Sequence, residues 1–110
     1  MKKFLAVMLV AFVAVSFCFA GGSSESASSE IKIGFIGPLT GDYANYGTLC
    51  KQAVEMAIEE ANSKGGVNGT QIKLYAEDSE GDPQKALAAM EKLSSSDKVC
   101  AIVGPVLTGE

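Results

Sequence analysis

The 110-residue chain contains no histidine, and all nine of its basic residues are lysines, so arginine is missing too. Without histidine, this stretch can hold neither a His-dependent catalytic triad nor a His-rich metal site. Without arginine there is no guanidinium to read a base edge. Nine lysines against thirteen acids leave a net charge of −4 and no basic stripe to displace counterions. Nucleic acid is therefore not an expected partner. Cysteine and proline are sparse, with three residues of each. The remainder, 47% hydrophobic and 20% charged, is globular in composition and matches about one small domain in length.

The opening twenty residues, MKKFLAVMLVAFVAVSFCFA, run from two lysines through an uncharged apolar stretch to small residues. That is the layout of a secretory signal, so export is expected. Phe4 to Ser24 is also uncharged and nearly long enough to span a bilayer, which keeps a retained membrane anchor as an alternative. Removing Lys2 and Lys3 takes the net charge from −4 to −6. Two processing routes compete. Cleavage after Ala20 puts Ala20 and Cys18 at the small −1 and −3 positions, and is preferred. Lipidation would make Cys18 the acylated first residue, with FAGGSSESASSE as its tether, but the preceding residue is then Phe17 where a small one is usual. Either way, residues 21–30 read as a flexible Gly/Ser/Glu tether and 31–110 as the folded part.

Cys50 and Cys100 remain in that part. An exported location permits a disulfide, yet one cysteine belongs to the start of a helix at the C-terminal rim of a sheet and the other opens a strand at the opposite rim. A separation of roughly 15 to 20 Å follows from the rise along a strand, too far for a bridge. Two buried free thiols are expected instead.

IKIGFIG (Ile31 to Gly37) alternates and then turns apolar, as a strand entering a core does. In the following segment Leu49, Ala53, Met56 and Ala57 form one helical row and Cys50, Val54, Ile58 and Ala61 another, leaving Lys51, Glu55, Glu59 and Lys64 for water. Gly65 and Gly66 end that helix. A turn at Asn68-Gly69 leads to a strand with Ile72, Leu74 and Ala76 on one face. Asp82 then caps a second helix that has Pro83 at its first position and Ala86, Leu87, Met90 and Leu93 as its buried stripe. KVCAIVG (Lys98 to Gly104) is apolar on both faces, which suits a strand covered from each side. The order β-α-β-α-β, with helices long enough for right-handed crossovers, opens a doubly wound parallel α/β sheet. The closing VGPVLTGE enters a Gly/Pro/Thr loop where a further element is expected, so the sheet is read as incomplete.

Ligands bind such sheets beyond the carboxyl ends of the strands. The loops there are GPLTGDYANYG, EDSEGD and GPVLTGE, the first and last both a Gly-Pro, apolar residues, then Thr-Gly and an acid. The first is no phosphate cradle: its glycines are spaced G-x-x-G-x-x-x-G, against G-x-G-x-x-G for a dinucleotide site, and there is no P-loop lysine. EDSEGD lacks the alternating framework of a Ca²⁺ loop and reads as a solvated turn into the Asp82 cap. No serine or cysteine has a base partner, so neither an enzyme nor a cofactor is expected. A site that binds without reacting remains. Thr108 can hold an anion such as a carboxylate, and the Tyr46 ring can wall off an apolar side chain. The plainer readings are that Tyr46 staples the first helix and Thr108 caps a later one.

IKIGFIGPLTGDYANYG, AIEEANSKGGVNGTQIKLYAEDSEGDPQKA and KVCAIVGPVLTG, in that order and spacing, resemble the branched-chain amino acid (Leu/Ile/Val-type) substrate-binding proteins of ABC transporters, periplasmic binding proteins of the type I fold. The resemblance spans nearly all of Ile31 to Gly109. It implies two α/β lobes closing by a hinge on an amino acid or similar small solute, a monomer when complete, and delivery to a membrane permease from a periplasmic or extracellular location. It also implies that Thr108 contacts the ligand's α-carboxylate and that Tyr46 packs near its side chain. An alternative of another class is the ligand-sensing domain of a membrane receptor with the same fold. Some members carry a disulfide beside the site at the positions of Gly81 and Leu107, and this chain has neither cysteine.

Overall fold

The computed structural model describes residues 29–110. The expected signal segment, the lipidation candidate Cys18 and most of the tether lie outside the described residues. Three strands, β1 (Ile31–Gly37), β2 (Ile72–Asp78) and β3 (Ala101–Val103), alternate with two helices, α1 (Ala44–Ser63) and α2 (Pro83–Glu91). A π-helical turn over Lys92–Ser96 extends α2.

The sheet is parallel, in the order β2-β1-β3. The chain steps from β1 to one side and then crosses back to the other, which places a reversal of strand order at β1, as a doubly wound sheet requires. Register runs from Ile31 opposite Ile72 to Gly37 opposite Asp78, and Gly34 is paired with both Tyr75 and Ile102. Because side chains alternate across a strand, Ile36 shares a face with that row. This is the face α2 covers: Ile36, Ala86, Ala89 and Leu93 form the buried cluster, with Tyr75, Val99 and Ile102 packed against it.

Local signals explain the helix boundaries. The Asp82 side chain accepts hydrogen bonds from the N–H groups of Gln84 (2.8 Å) and Lys85 (3.0 Å), satisfying donors that the first turn leaves free. At the end of α1, Gly66 N–H reaches Ala61 O (2.9 Å) and Gly65 N–H reaches Asn62 O (3.0 Å), the Schellman pattern. Asn68 and Gly69, with φ of 51° and 82°, form the tight turn into β2. Gly47 is where α1 meets the exit of β1, since a Cβ there would lie 1.8 Å from Pro38 O. A side chain at that position would push the helix off the strand.

Helical phase differs from expectation in both helices. The buried stripe of α2 is Ala86, Ala89 and Leu93, whereas Leu87 and Met90 stand 56% and 38% exposed. Two alanines let the helix lie close on the sheet, and the larger residues are then displaced to its flank. In α1, Gly47, Val54, Ile58 and Ala61 face the sheet with Lys51 half-buried among them, so Lys51 is not a fully solvated position. Leu49 and Met56 are 65% and 70% exposed. Cys50 and Cys100 are unbridged, as expected, but exposed rather than buried, because Cys50 falls outside the packed row and Cys100 precedes β3 at the edge of the sheet. β3 is also shorter than the expected 98–104. Among the described residues it is an edge strand, with only Ile102 packed on the core.

Asn62 makes a contact that periodicity does not reveal. Its amide donates to Ile72 O and accepts from Ile72 N–H, both at 2.8 Å, clasping the end of α1 to the start of β2. Replacing Asn62 by Ala strands two backbone groups at a partly buried position. In the protein that carries this chain, the expected loss is about 1 to 3 kcal/mol of unfolding free energy in urea, and a change below about 0.3 kcal/mol would show that water replaces the clasp.

Candidate functional site

Three parallel strands deliver three loops to one edge of the sheet. Residues 38–43 follow β1, Ser79–Asp82 follow β2, and Gly104–Glu110 follow β3. The loop of β1 is central, because β1 lies between the other two strands. Gly104 (φ 119°) brings the third loop against β1 so closely that a Cβ would lie 2.2 Å from Ile36 O. Only glycine fits both that angle and that approach.

Asp78, the last residue of β2, ties the first loop down. One carboxylate oxygen accepts from Leu39 N–H at 2.7 Å and Glu80 N–H at 2.8 Å, and the other from the Thr40 hydroxyl at 2.6 Å. Burial pushes the Asp78 carboxyl up, but the Thr40 hydroxyl and the backbone donors of Leu39, Glu80 and Thr40 together hold it below its ordinary value. Ser79, fully buried, works in the other direction. Its N–H bonds Gly37 O at 3.0 Å, and its hydroxyl donates to the Glu110 carboxylate, whose second oxygen accepts from Leu107 N–H at 3.2 Å. The three loops converge again at Gly81, where a Cβ would stand 3.1 Å from the Tyr43 ring and 3.4 Å from Leu107 Cδ1. The two positions that carry cysteines in some proteins of the resembled group are thus close together in space.

Each acid of EDSEGD has a partner. Glu77 pairs with Lys92, Asp78 holds the first loop, Glu80 pairs with Lys85 at 2.5 Å, and Asp82 caps α2. These are structural engagements, more specific than a solvated turn. The two ion pairs sit on the surface, where such pairs contribute little to stability. The Glu80 and Glu77 hydrogen bonds raise the ammonium values of Lys85 and Lys92 respectively. Among the described residues, no group of three or more His, Cys, Asp or Glu is placed to hold a metal ion.

Tyr46 and Thr108 stand on different elements of this edge. Tyr46 lies in the first turn of α1 and is 63% exposed, and Thr108 is exposed in the loop after β3. What joins the loops of this edge is the framework of Asp78, Ser79, Gly81 and Glu110. Sequence reading missed the bonding roles of Asp78, Ser79 and Glu110, because each links residues more than 30 positions apart. The one available signal was that the Asp78-Ser79 pair ends β2 at the binding edge. An apolar recess of about 360 Å³ lies between the flank of α2 and the loop after β3, lined by Ile36, Pro83, Leu87 and Met90 on one side and by Pro105 and Glu110 of that loop on the other. Leu87 and Met90, displaced from the core, form part of its wall.

A carboxyl held below its ordinary value adds stability that is complete above the unfolded value and lost as pH falls through the folded one. Asp78 therefore gives an acid-side signature. In urea unfolding of the protein carrying this chain, wild type should exceed Asp78→Asn by a constant margin above about pH 5, shrinking below about pH 4. A margin that stays flat or widens on acidification would contradict the assignment.

The family model described as "Periplasmic binding protein" matches residues 30–110. The Leu/Ile/Val-binding protein BraC3 of Rhizobium johnstonii is 37% identical over 101 residues, covering 92% of this chain and 26% of that protein. A Pseudomonas aeruginosa protein named for binding leucine, isoleucine, valine, threonine and alanine is 42% identical over 88 residues, or 79% of this chain and 23% of the other. Among solved structures, the branched-chain amino acid transporter substrate-binding protein LivJ of Streptococcus pneumoniae, in complex with isoleucine, superposes with a TM-score of 0.71 at 35% identity. That match covers 73% of this chain and 23% of LivJ. The chain thus spans about a quarter of the length of these relatives. With the family model matching residues 30–110, most of its length, the chain belongs to the periplasmic binding protein family.

Proposed function

We propose that this chain is the first part of the N-terminal lobe of an exported solute-binding protein, which captures an amino acid of the branched-chain type and delivers it to an ABC import permease. The observation that carries the reading is the rim itself. Three loops at the carboxyl edge of a parallel sheet are fastened to one another by side-chain hydrogen bonds, while Tyr46 and Thr108 on that rim are left exposed. The names of the relatives support an amino acid as the ligand, and they favour delivery to a transporter over receptor signalling.

In this reading residues 1–20 are the export signal, 21–30 the tether and 31–110 the lobe. Cleavage after Ala20 is the proposed processing step, with Cys18 acylation as the competing route, and the mature protein works as a monomer in the periplasm or outside the cell. Thr108 offers its hydroxyl to the ligand's α-carboxylate. The Tyr46 ring covers the apolar side chain, which suits an aromatic face with a polar edge. The site works by enclosure: a second lobe closes over the first, and the closed form is presented to the permease. No bond is made or broken, so catalytic groups have no part in it.

Calorimetric titration of the whole protein with a panel of amino acids tests this. Saturable binding of leucine, isoleucine or valine is expected, and binding of no amino acid would overturn the assignment. Thr108→Val should weaken that binding by about 1.5 to 3 kcal/mol, the scale of a hydrogen bond to a charged group. Unchanged affinity would reduce Thr108 to a capping residue.

A further inference from the structure

Main-chain pairing in the sheet stops at Gly37 opposite Asp78 on one side of β1 and at Phe35 opposite Val103 on the other. Beyond those points the loop that leads into α1 and Tyr46, and the loop that carries Thr108, have no strand ladder to fix them. β2 and β3 are not neighbours, so β2 can reach the loop of β3 only by crossing over the end of β1. Ser79 makes that crossing: its N–H is bonded to Gly37 O at 3.0 Å and its hydroxyl reaches Glu110, which in turn holds Leu107 N–H at 3.2 Å. The preceding residue, Asp78, holds Leu39 and Thr40 in the other loop.

We propose that Asp78 and Ser79 are positioning residues of the binding rim, setting the relative placement of the loop that leads into Tyr46 and the loop that carries Thr108 without touching the ligand. This rests on the ligand-binding reading above. The chemistry ranks the contacts. Asp78 is an ionised acceptor with three donors within 2.8 Å, and hydrogen bonds to charged groups are the stronger kind. Ser79 is fully buried, so its hydroxyl has no water to replace Glu110. Thr40 is exposed and can exchange its bond for one to water, so its hydroxyl contributes least. A rim released from these bonds samples other arrangements, and apparent affinity falls in proportion to the fraction that remains competent.

The test compares Asp78→Ala, Ser79→Ala, Thr40→Val and Thr40→Ser in the whole protein. Affinity is measured with L-leucine, L-isoleucine and L-valine, and backbone amide hydrogen exchange is measured without ligand. Asp78→Ala should lose about tenfold or more in affinity, and Thr40→Val a smaller factor, while Thr40→Ser, which restores the hydroxyl, should stay within about twofold of wild type. Exchange should quicken at Leu39 in Asp78→Ala and at Leu107 in Ser79→Ala, with the β1 amides of Ile33 and Phe35 unchanged. Three results would overturn the proposal: unchanged exchange at both loops, faster exchange spread evenly through β1, or loosened loops with unaltered affinity. If Asp78→Ala does not fold, the exposed Thr40 pair of variants decides the same question. If wild type binds none of the three amino acids, the ligand reading falls, and the exchange pattern alone decides whether these residues hold the loops.

Discussion

A parallel sheet sends every strand out at the same edge, and its hydrogen-bond ladder ends where the strands end. Whatever lies beyond must find its own partners. Here the two residues at the end of β2 supply them, Asp78 toward the loop of β1 and Ser79 toward the loop of β3. Among the described residues β2 is an edge strand, and it thereby holds both the central loop and the loop beyond it. Glycines make the approach possible, since Gly47 and Gly104 each sit where a Cβ would collide with the main chain around β1.

The same arrangement commits the acids at this edge to structural contacts. Acids clustered at a strand end can suggest a metal site or paired acid/base groups, but here each carboxylate is already engaged with a lysine, a loop or a helix end. The neighbouring alcohol, Ser79, is fully buried and its hydroxyl donates a hydrogen bond to Glu110, so it lacks the exposure of a nucleophile. What the edge leaves open is Tyr46, exposed at the start of α1, and Thr108, exposed in the loop after β3, the two residues proposed to hold the ligand. Neither Tyr46 nor Thr108 lines the apolar recess beside α2, whose polar lining residue is Glu110.

Element type and order were legible from local chemistry. Asp82-Pro83, Gly65-Gly66 and Asn68-Gly69 mark their boundaries through caps and turns that need no distant partner. Helical phase was less legible. Ala86 and Leu93 fit either of two stripes, and the choice of Ala89 over Leu87 and Met90 depends on how closely the helix lies on the sheet. Lys51 shows the same limit, because a charged residue can occupy the packed row when its stem lies along the surface and its head reaches Glu55. Tyr46 and Thr108 were legible in the sequence as residues of the carboxyl edge of the sheet, which is where they lie. The sequence did not disclose Asp78, Ser79 or Asn62 as fasteners, since local reading carries no sign of which distant backbone group a side chain will meet.

The central claim is that the rim built by these loops receives an amino acid, with its carboxylate at Thr108 and its side chain under Tyr46. A crystal structure of the whole protein grown with L-leucine examines this most directly. The expected result is Thr108 Oγ1 within hydrogen-bond reach of the ligand carboxylate, the Tyr46 ring against the ligand's methyl groups, and Asp78 and Ser79 bonded to the loops with no ligand contact. A ligand seated in the recess beside α2, or bonded directly to Asp78, would contradict it.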